Sequence, residues 1–361
     1  MNQDNFKKLI SGQKTGLGAG LLRLLLGVAA AGYSIAVRLR NFLYSKEWLK
    51  VHRADAAVIS VGNITVGGTG KTPLVIWLCK EIISDSRFQI SNSQCAILTR
   101  GYKAAKDAGD EPAILAEGCP EVKVIINPDR IAGAIEAISK LSAKILIMDD
   151  GFQHRRLGRD LDIVAIDATL PFGYGRMLPA GLLREPITSL KRADAAVITR
   201  CDQITEIELS EIEKKLSAIN PNMIIARSIH SPAYVKTTDN KEISLDHLKD
   251  KKIFAFCGIG NPGSFLNTIK SLSCDLAGEK VYNDHYHYTN DCLADIYEQA
   301  ECLKADLILT TQKDWTKIRR LALLKKDIPL GYIGIEIKFL AGEDKLRDLI
   351  EKTLAGKIPQ K

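Results

Sequence analysis

A glycine-rich turn between an apolar run and a helical pattern constrains this chain more than any other feature. Residues 58–62 form a β-branched run that is typical of a buried strand. The turn ends in Gly70-Lys71-Thr72, and Pro73 falls in the first turn of the predicted helix, where a missing N–H costs nothing. Strand and helix patterns continue to alternate up to about residue 227, which predicts an α/β fold with a parallel sheet covered on both faces.

The turn has the composition of a phosphate-binding loop. Glycines let consecutive backbone N–H groups point at a phosphate, and the helix N-terminus adds positive potential. Lys71 can then reach the terminal phosphates, and the Thr72 hydroxyl can hold Mg²⁺. Thr65 stands where the general motif has its first glycine, so an ordinary glycine turn is the alternative. The residues predicted to bind the nucleotide are Thr65, Val66, Gly67, Gly68, Thr69, Gly70, Lys71 and Thr72.

The net charge of +7 belongs to the amino end. Residues 1–53 carry nine Lys or Arg and two Asp or Glu, and the remainder of the chain is neutral. Residues 17–44 are also the most apolar stretch of the chain. Their charge-free run, residues 24–37, is 14 residues long. That is short of the roughly 20 residues needed to cross a bilayer.

A helix over this stretch would gather large apolar side chains on one face. They are Leu21, Leu24, Leu25, Val28, Ile35, Leu39 and Phe42. Basic residues flank the face, which favours a helix lying in the membrane interface on the cytoplasmic side, where anionic lipids attract the flanks. The alternatives are a helix packed on the protein body, or a signal peptide, although no clear small-residue cleavage site follows.

Length and cysteine usage indicate a cytosolic protein of two domains. At 361 residues the chain is long for one core. The composition predicts an N-terminal basic apolar helix region at 1–50, a P-loop domain at 51–227, a linker hairpin at 228–250 and a smaller α/β domain at 251–361. The eight cysteines form no C-x-x-C pair, which argues for reduced thiols and against zinc or disulfides.

Acidic residues follow the predicted strands of the first domain. These strands are residues 94–99, 122–126, 144–148, 161–166 and 195–199. Asp149 and Asp150 end the third of them, as a Walker B element does when it coordinates Mg²⁺; a solvated strand end is the alternative. Asp110 and Glu111 follow the first, and their spacing fits a base, a metal ligand or a helix cap equally well.

Together these motifs resemble the tetraacyldisaccharide 4'-kinases, the lipid A 4'-kinases of Gram-negative bacteria. The matching segments are VGNITVGGTGKTP at 61–73, TRGY at 99–102, GDEP at 109–112, MDDGFQHRRL at 148–157, LPAGLLREP at 178–186, DHYHY at 284–288 and TTQKD at 310–314. The family more often has Glu where this chain has Gln312. The resemblance covers essentially the whole chain.

The resemblance implies ATP-dependent phosphorylation of the 4'-hydroxyl of a tetraacylated glucosamine disaccharide 1-phosphate, with Mg²⁺, on the cytoplasmic face of the inner membrane. We therefore expect a lipid substrate and a membrane surface as partners, and no nucleic acid.

The same resemblance assigns roles to individual residues. Lys71 would bind the β- and γ-phosphates, and Asp110 would be the base, paired with His285 or, in a shifted register, with His287. The implied metal set is Thr72, Asp149, Asp150, Gln153 and Glu185. A second anion such as the 1-phosphate has several candidate partners, namely Arg100, Arg130, Arg155, Arg156 and Arg184.

Two other classes of P-loop protein deserve comparison. Membrane-associated switch ATPases carry a signature lysine just before the glycine pair, where this chain has Val66, and usually place their membrane helix at the carboxyl end. A soluble small-molecule kinase or ligase would leave the N-terminal apolar helix unexplained. Both comparisons favour the lipid kinase.

Overall fold

A computed structural model of the chain describes residues 3–84, 94–101, 110–239, 241–284, 286–319, 321 and 327–357; the side chains of residues 3, 4 and 110 lie outside this description. The chain divides into two compact units. The first comprises residues 1–105, 115–229 and 337–361, and the second comprises residues 106–114 and 230–336.

The first unit is built on a parallel sheet. Its strands are β1 Ala57–Gly62, β2 Cys95–Thr99, β3 Lys123–Ile126, β4 Ile145–Asp149, β5 Leu161–Asp167, β6 Ala195–Thr199 and the beginning of β7 Ile224–Thr237. They lie in the order β7-β6-β5-β1-β4-β2-β3, with parallel pairing throughout. The predicted α/β class is confirmed, and each predicted strand end is within one residue of the observed end.

Continuous apolar runs explain why this sheet is covered on both faces. Every residue of β1, β2, β4, β5 and β6 is buried, as parallel strands flanked by helices require. The helices that precede β7 are α1 Gln3–Ile10, α2 Leu17–Ser45, α3 Lys71–Ser84, α4 Asp110–Gly118, α5 Arg130–Leu141 and α6 Glu206–Ile219. The amphipathic pattern of α3, α4, α5 and α6 supplies apolar residues that pack against strand residues of the sheet.

The position of β1 in this sheet decides where the glycine-rich turn lies. β1 pairs with β4 on one side and β5 on the other, with Val61 opposite Asp149 and Gly62 opposite Val164. Because all three strands run in one direction, their carboxyl ends meet at one edge of the sheet. The turn after β1 therefore lies beside the acidic end of β4.

Helix α2 packs on the first unit along one side only. Ala30 and Val37 are buried in its core, with Leu26 packed against the same cluster. All seven residues of the predicted apolar face are exposed; they are Leu21, Leu24, Leu25, Val28, Ile35, Leu39 and Phe42. Among the described residues, α2 is also the one helix long and apolar enough to cross a membrane by length and composition.

The second unit is a smaller α/β arrangement. Its elements are the end of β7, β8 Glu242–Ile243, β9 Lys252–Cys257, α7 Pro262–Lys270, β10 Asp275–Val281, α8 Asn290–Cys302, β11 Leu307–Thr311, α9 Gln312–Ile318 and the beginning of β12 Leu330–Ala341. Its strands lie in the order β10-β9-β11-β12-β7, and β8 pairs antiparallel with β7 to form a hairpin. β10 was not predicted, because its burial alternates and it lacks the apolar run that marked the other strands.

The carboxyl end of the chain corrects the predicted domain boundary. The sequence assigned residues 251–361 to the second domain, whereas residues 337–361 belong to the first unit. This segment includes α10 Glu343–Ala355, whose Leu346, Ile350 and Leu354 are buried in the same core cluster as Ile59 of β1. An amphipathic helix buries its apolar stripe wherever a complementary face exists, and sequence order does not decide which face that is.

Asp314 provides a test of what holds the second unit together. Its carboxylate is fully buried and accepts hydrogen bonds from the Gly258 N–H at 2.9 Å and the Thr311 hydroxyl at 2.8 Å, with Lys317 Nζ at 3.3 Å. We expect Asp314→Ala to lower the free energy of unfolding by about 3 kcal/mol, because the donors and the lysine lose their buried partner. The exposed Asp291→Ala should change it by less than about 0.5 kcal/mol. Urea unfolding would measure both; equal values would contradict this role.

Candidate active site

The glycine-rich turn after β1 has the backbone geometry of a phosphate loop. Gly67 and Gly70 adopt left-handed conformations, with φ of 121° and 83°, which glycine tolerates without a steric penalty. Lys71 begins α3 directly after the turn, and Thr72 follows it. In this structure the Val66 N–H donates to the Leu182 carbonyl at 2.8 Å, so that amide already has a partner.

Buried side chains bond to this loop and fix its conformation. Asn63 Nδ2 donates to Thr69 Oγ1 at 3.0 Å, and Thr199 Oγ1 donates to the Thr69 carbonyl at 3.0 Å. Arg200 donates to the Gly68 carbonyl at 2.8 Å and forms a buried ion pair with Asp167. The carbonyls of Gly68 and Thr69 are thereby fixed by side chains that end β6 or follow it in the chain.

Sequence reasoning assigned no role to these supporting residues. Asp167 ends β5, and Thr199 ends β6 with Arg200 next to it. The signal that could have found them is topological, because β5 lies next to β1 and β6 lies next to β5, and all three parallel strands end at the same edge of the sheet.

The two aspartates after β4 occupy different environments. Asp149 is the last residue of β4, is buried, and accepts a hydrogen bond from the Thr99 hydroxyl at 3.1 Å. Asp150 has a φ of 52°, a left-handed conformation that turns it away from the strand direction. Its carboxylate lies 3.6 Å from Lys71 Nζ and accepts two hydrogen bonds from Arg184, at 2.7 and 3.0 Å.

The charge state of Asp150 follows from these neighbours. Burial raises the pKa of Asp150, but the positive charges of Lys71 and Arg184 outweigh that effect and hold its pKa at about 2. The carboxylate is therefore ionised at neutral pH. It neutralises the P-loop lysine and presents oxygen atoms beside the loop.

Gln153 supplies the observation that bears on Mg²⁺. Its Nε2 donates to the Asn63 carbonyl at 2.7 Å, whereas its Oε1 is buried and has no hydrogen-bond partner within the described part of the chain. An amide oxygen and carboxylates near a phosphate loop are the donors that Mg²⁺ prefers. The unpartnered Oε1 of Gln153 thus fits that ion, and Thr72, Asp149 and Asp150 as its further ligands stay predictions. The described residues contain no group of three or more His, Cys, Asp and Glu side chains that could hold a metal by themselves.

Glu185 has a different set of contacts. Its side chain is fully buried, with Oε1 accepting from Arg40 at 2.9 Å and Oε2 accepting from Asn41 at 3.0 Å and Arg192 at 2.8 Å. Both oxygens are therefore engaged by cationic or amide donors. Its membership of a metal set stays a prediction.

The candidate arginines for a second anion divide into two groups. Arg184 pairs with Asp150, Arg130 donates to the Asp149 carbonyl at 3.1 Å, and Arg155 donates to the Asn41 carbonyl at 2.8 Å. Arg100 and Arg156 are exposed. These two are the more available partners for a ligand anion.

The predicted base pair cannot be placed. His285 and the side chain of Asp110 lie outside the described residues. His287, the alternative, is exposed, and in the second unit Lys313 forms an ion pair with Asp284 at 3.3 Å. The roles of Asp110 and His285 stay predictions.

Comparison with known proteins identifies the family to which this loop and its acidic neighbours belong. Residues 22–355 match the family model for LpxK, tetraacyldisaccharide-1-P 4'-kinase. This chain belongs to that family. It is therefore a phosphotransferase of lipid A biosynthesis, as the resemblance implied, and the match decides against a switch ATPase.

Relatives of the family cover nearly the whole chain. The tetraacyldisaccharide 4'-kinase of Halothermothrix orenii is 35% identical, over 92% of this chain and 93% of the relative, and that of Syntrophus aciditrophicus is 35% identical over 87% and 89%. A crystal structure of the "apo" form of LpxK from Aquifex aeolicus in complex with ATP superimposes with a TM-score of 0.70 at 30% identity. That match covers 92% of this chain and 99% of the solved one.

Arg200 offers a test of how this kinase supports its phosphate loop. We expect Arg200→Met to raise the Kd for ATP about tenfold, because the Gly68 carbonyl loses its donor and Asp167 loses its ion-pair partner. Isothermal calorimetry would measure the change. Arg319→Met, at an exposed arginine, is the control and should leave the Kd unchanged; equal affinities would show that the loop needs no support from β6.

Proposed function

We propose that this chain transfers the γ-phosphoryl group of ATP to the 4'-hydroxyl of a tetraacylated glucosamine disaccharide 1-phosphate at the cytoplasmic surface of the inner membrane. The observation that carries the proposal is the contact of Lys71 and Arg184 with Asp150 beside the phosphate loop, in a chain of the tetraacyldisaccharide-1-P 4'-kinase family. That cluster gathers the charges that phosphoryl transfer needs.

The loop and Lys71 bind the donor. Without nucleotide the Lys71 ammonium is paired with Asp150 at 3.6 Å. The β- and γ-phosphates of ATP carry more negative charge than one carboxylate, so they replace Asp150 as the principal partner of Lys71. The N-terminus of α3 adds its positive potential to the same phosphates.

Oxygen atoms of Thr72, Asp149, Asp150 and Gln153 would hold Mg²⁺, with Glu185 as a further predicted member of the set. When bound, the ion neutralises charge on the β- and γ-phosphates. The unpartnered Oε1 of Gln153 and the ionised carboxylate of Asp150 support this assignment.

Asp110 would act as the base. As the oxygen of the 4'-hydroxyl forms its bond to the γ-phosphorus, the bond from that phosphorus to the β–γ bridging oxygen breaks, and ADP leaves. The hydroxyl proton passes to the Asp110 carboxylate, which His285 orients and polarises. These two roles rest on the family resemblance of the segments at 109–112 and 284–288.

A direct assay tests the reaction. The full chain is incubated with ATP labelled at the γ-phosphate, Mg²⁺, the disaccharide 1-phosphate acceptor and detergent. We expect label in the lipid, and alkaline phosphatase should release it. ATP hydrolysis without labelled lipid would overturn the proposal.

Removing the proposed base should separate chemistry from binding. We expect Asp110→Ala and His285→Ala to lower kcat by about 100-fold or more, because general-base assistance is lost, while ATP affinity stays within about twofold. His287→Ala is the matched comparison and should retain normal turnover. A loss of turnover in His287→Ala with normal His285→Ala would contradict the assigned register.

The exposed face of α2 supports a membrane location. Its apolar side chains form one patch, and monomeric soluble proteins rarely expose such a patch unless it has a partner. Lys7, Lys8 and Lys14 lie in the segment before α2, where they would meet anionic headgroups.

Charged substitutions on this face should release the protein from membranes. We expect Leu24→Glu with Val28→Glu to reduce sedimentation with vesicles of phosphatidylglycerol and phosphatidylethanolamine at least about tenfold, since two apolar contacts are replaced by charges that the anionic surface repels. The matched control is Ile135→Glu with Ile207→Glu, at two exposed apolar positions outside α2. Substitution is preferable to deletion, because Ala30 and Val37 of α2 are buried. Equal sedimentation of both variants would exclude this face as the anchor.

A further inference from the structure

Arg184 and Glu185 connect α2 to the phosphate loop. They are neighbours in the chain, within the segment that follows the β5 acidic end. One of them extends its side chain toward Asp150, and the other extends its side chain toward α2. If α2 shifts, its contacts with Glu185 shift as well, and Glu185 is bonded directly to Arg184, which belongs to the candidate active site.

The hydrogen bonds and ion pairs of Glu185 fix the position of the segment that contains Arg184 and Glu185. Its carboxylate is fully buried, and two of its donors, Arg40 and Asn41, belong to α2. Burying a carboxylate costs free energy unless hydrogen-bond donors compensate its charge, so the position of Glu185 depends on the positions of its donors. The third donor, Arg192, keeps the charge compensated if one α2 contact is lost.

Arg184 carries the effect to the phosphate loop. Its carbonyl accepts a hydrogen bond from the Tyr33 hydroxyl of α2 at 3.0 Å, and its N–H donates to the Ile64 carbonyl at 2.7 Å. Its guanidinium binds Asp150 in a bidentate manner. A bidentate ion pair fixes the plane as well as the distance of both groups, so it transmits small displacements of the backbone to Asp150 and its partner Lys71.

We propose that Arg40 is a positioning residue for phosphoryl transfer. Through Glu185 and Arg184, Arg40 holds Asp150 and Lys71 in the arrangement that the reaction requires only while α2 is packed in its observed position. The proposal rests on the proposed function, in which α2 lies on a lipid surface. The helix is then part of the catalytic scaffold as well as an anchor. Its contribution belongs to kcat, because within the described part of the chain the hydrogen bonds of Arg40 go to Asn41 and Glu185 and not to the loop or the aspartates.

Variants of Arg40 and Arg38 test this role. We expect Arg40→Met to lower kcat about tenfold in the lipid kinase assay with vesicles, with KM for ATP and acceptor within about twofold, because misplacement of reacting groups lowers turnover. Arg40→Lys retains a charge and a donor for Glu185, and should recover at least about a third of the lost activity. Arg38→Met is the matched control, since Arg38 is exposed on the same helix and bonds only to Ser34 in the described contacts.

Each outcome of this experiment decides the proposal. Equal kcat for Arg40→Met and Arg38→Met would overturn it, as would a loss of kcat that a matching loss of vesicle binding explains. Should Arg40→Met fail to fold, Tyr33→Phe removes only the hydrogen bond to Arg184, and an unchanged kcat there would also overturn it. Failure of the wild-type chain to label the acceptor would instead refute the proposed function.

Discussion

The ionised carboxylate of Asp150, held between Lys71 and Arg184, is the interaction on which the candidate site depends. A P-loop lysine without nucleotide would be an uncompensated charge in a partly buried position, and such a charge is costly. Asp150 compensates it, and its own burial is offset by the two cations, as its low pKa records. The same carboxylate stands beside the phosphate loop in a form that can accept a metal ion without first losing a proton.

Ion pairs to buried carboxylates recur around this cluster and have a common effect. Arg200 with Asp167 fixes the loop from the β5 and β6 side, and Glu185 with Arg40 fixes the segment that carries Arg184. Such pairs add little net stability over apolar packing, because desolvation cancels most of their attraction. They do impose one geometry, since a buried charge tolerates few arrangements of its partners. Catalysis by charge stabilisation needs that fixed geometry more than it needs a larger free energy of unfolding.

How much of the site could be read from the sequence depended on whether the signal was local. The strand, turn and helix around Gly70-Lys71-Thr72 are encoded in consecutive residues, and so are the acidic ends of the strands. The contacts of Glu185 were not predictable in this way, because Arg40 lies 145 residues away in the chain, on a helix for which the sequence favoured a membrane-surface position and left packing on the protein body as an alternative. The placement of residues 337–361 with the first unit has the same origin.

The sequence by itself determined the α/β class, the phosphate loop, the family and the apolar face of α2, because each follows from the spacing of residues or from motifs of consecutive residues. The tertiary structure decided which arginine meets which carboxylate. Spacing identifies which residues can be charged partners, but a buried pair forms only where two distant segments bring donor and acceptor within hydrogen-bond distance. For that reason the opposite side of α2, which bears Tyr33, Arg40 and Asn41, emerged as a link to Asp150 and Lys71 only when the chain was folded.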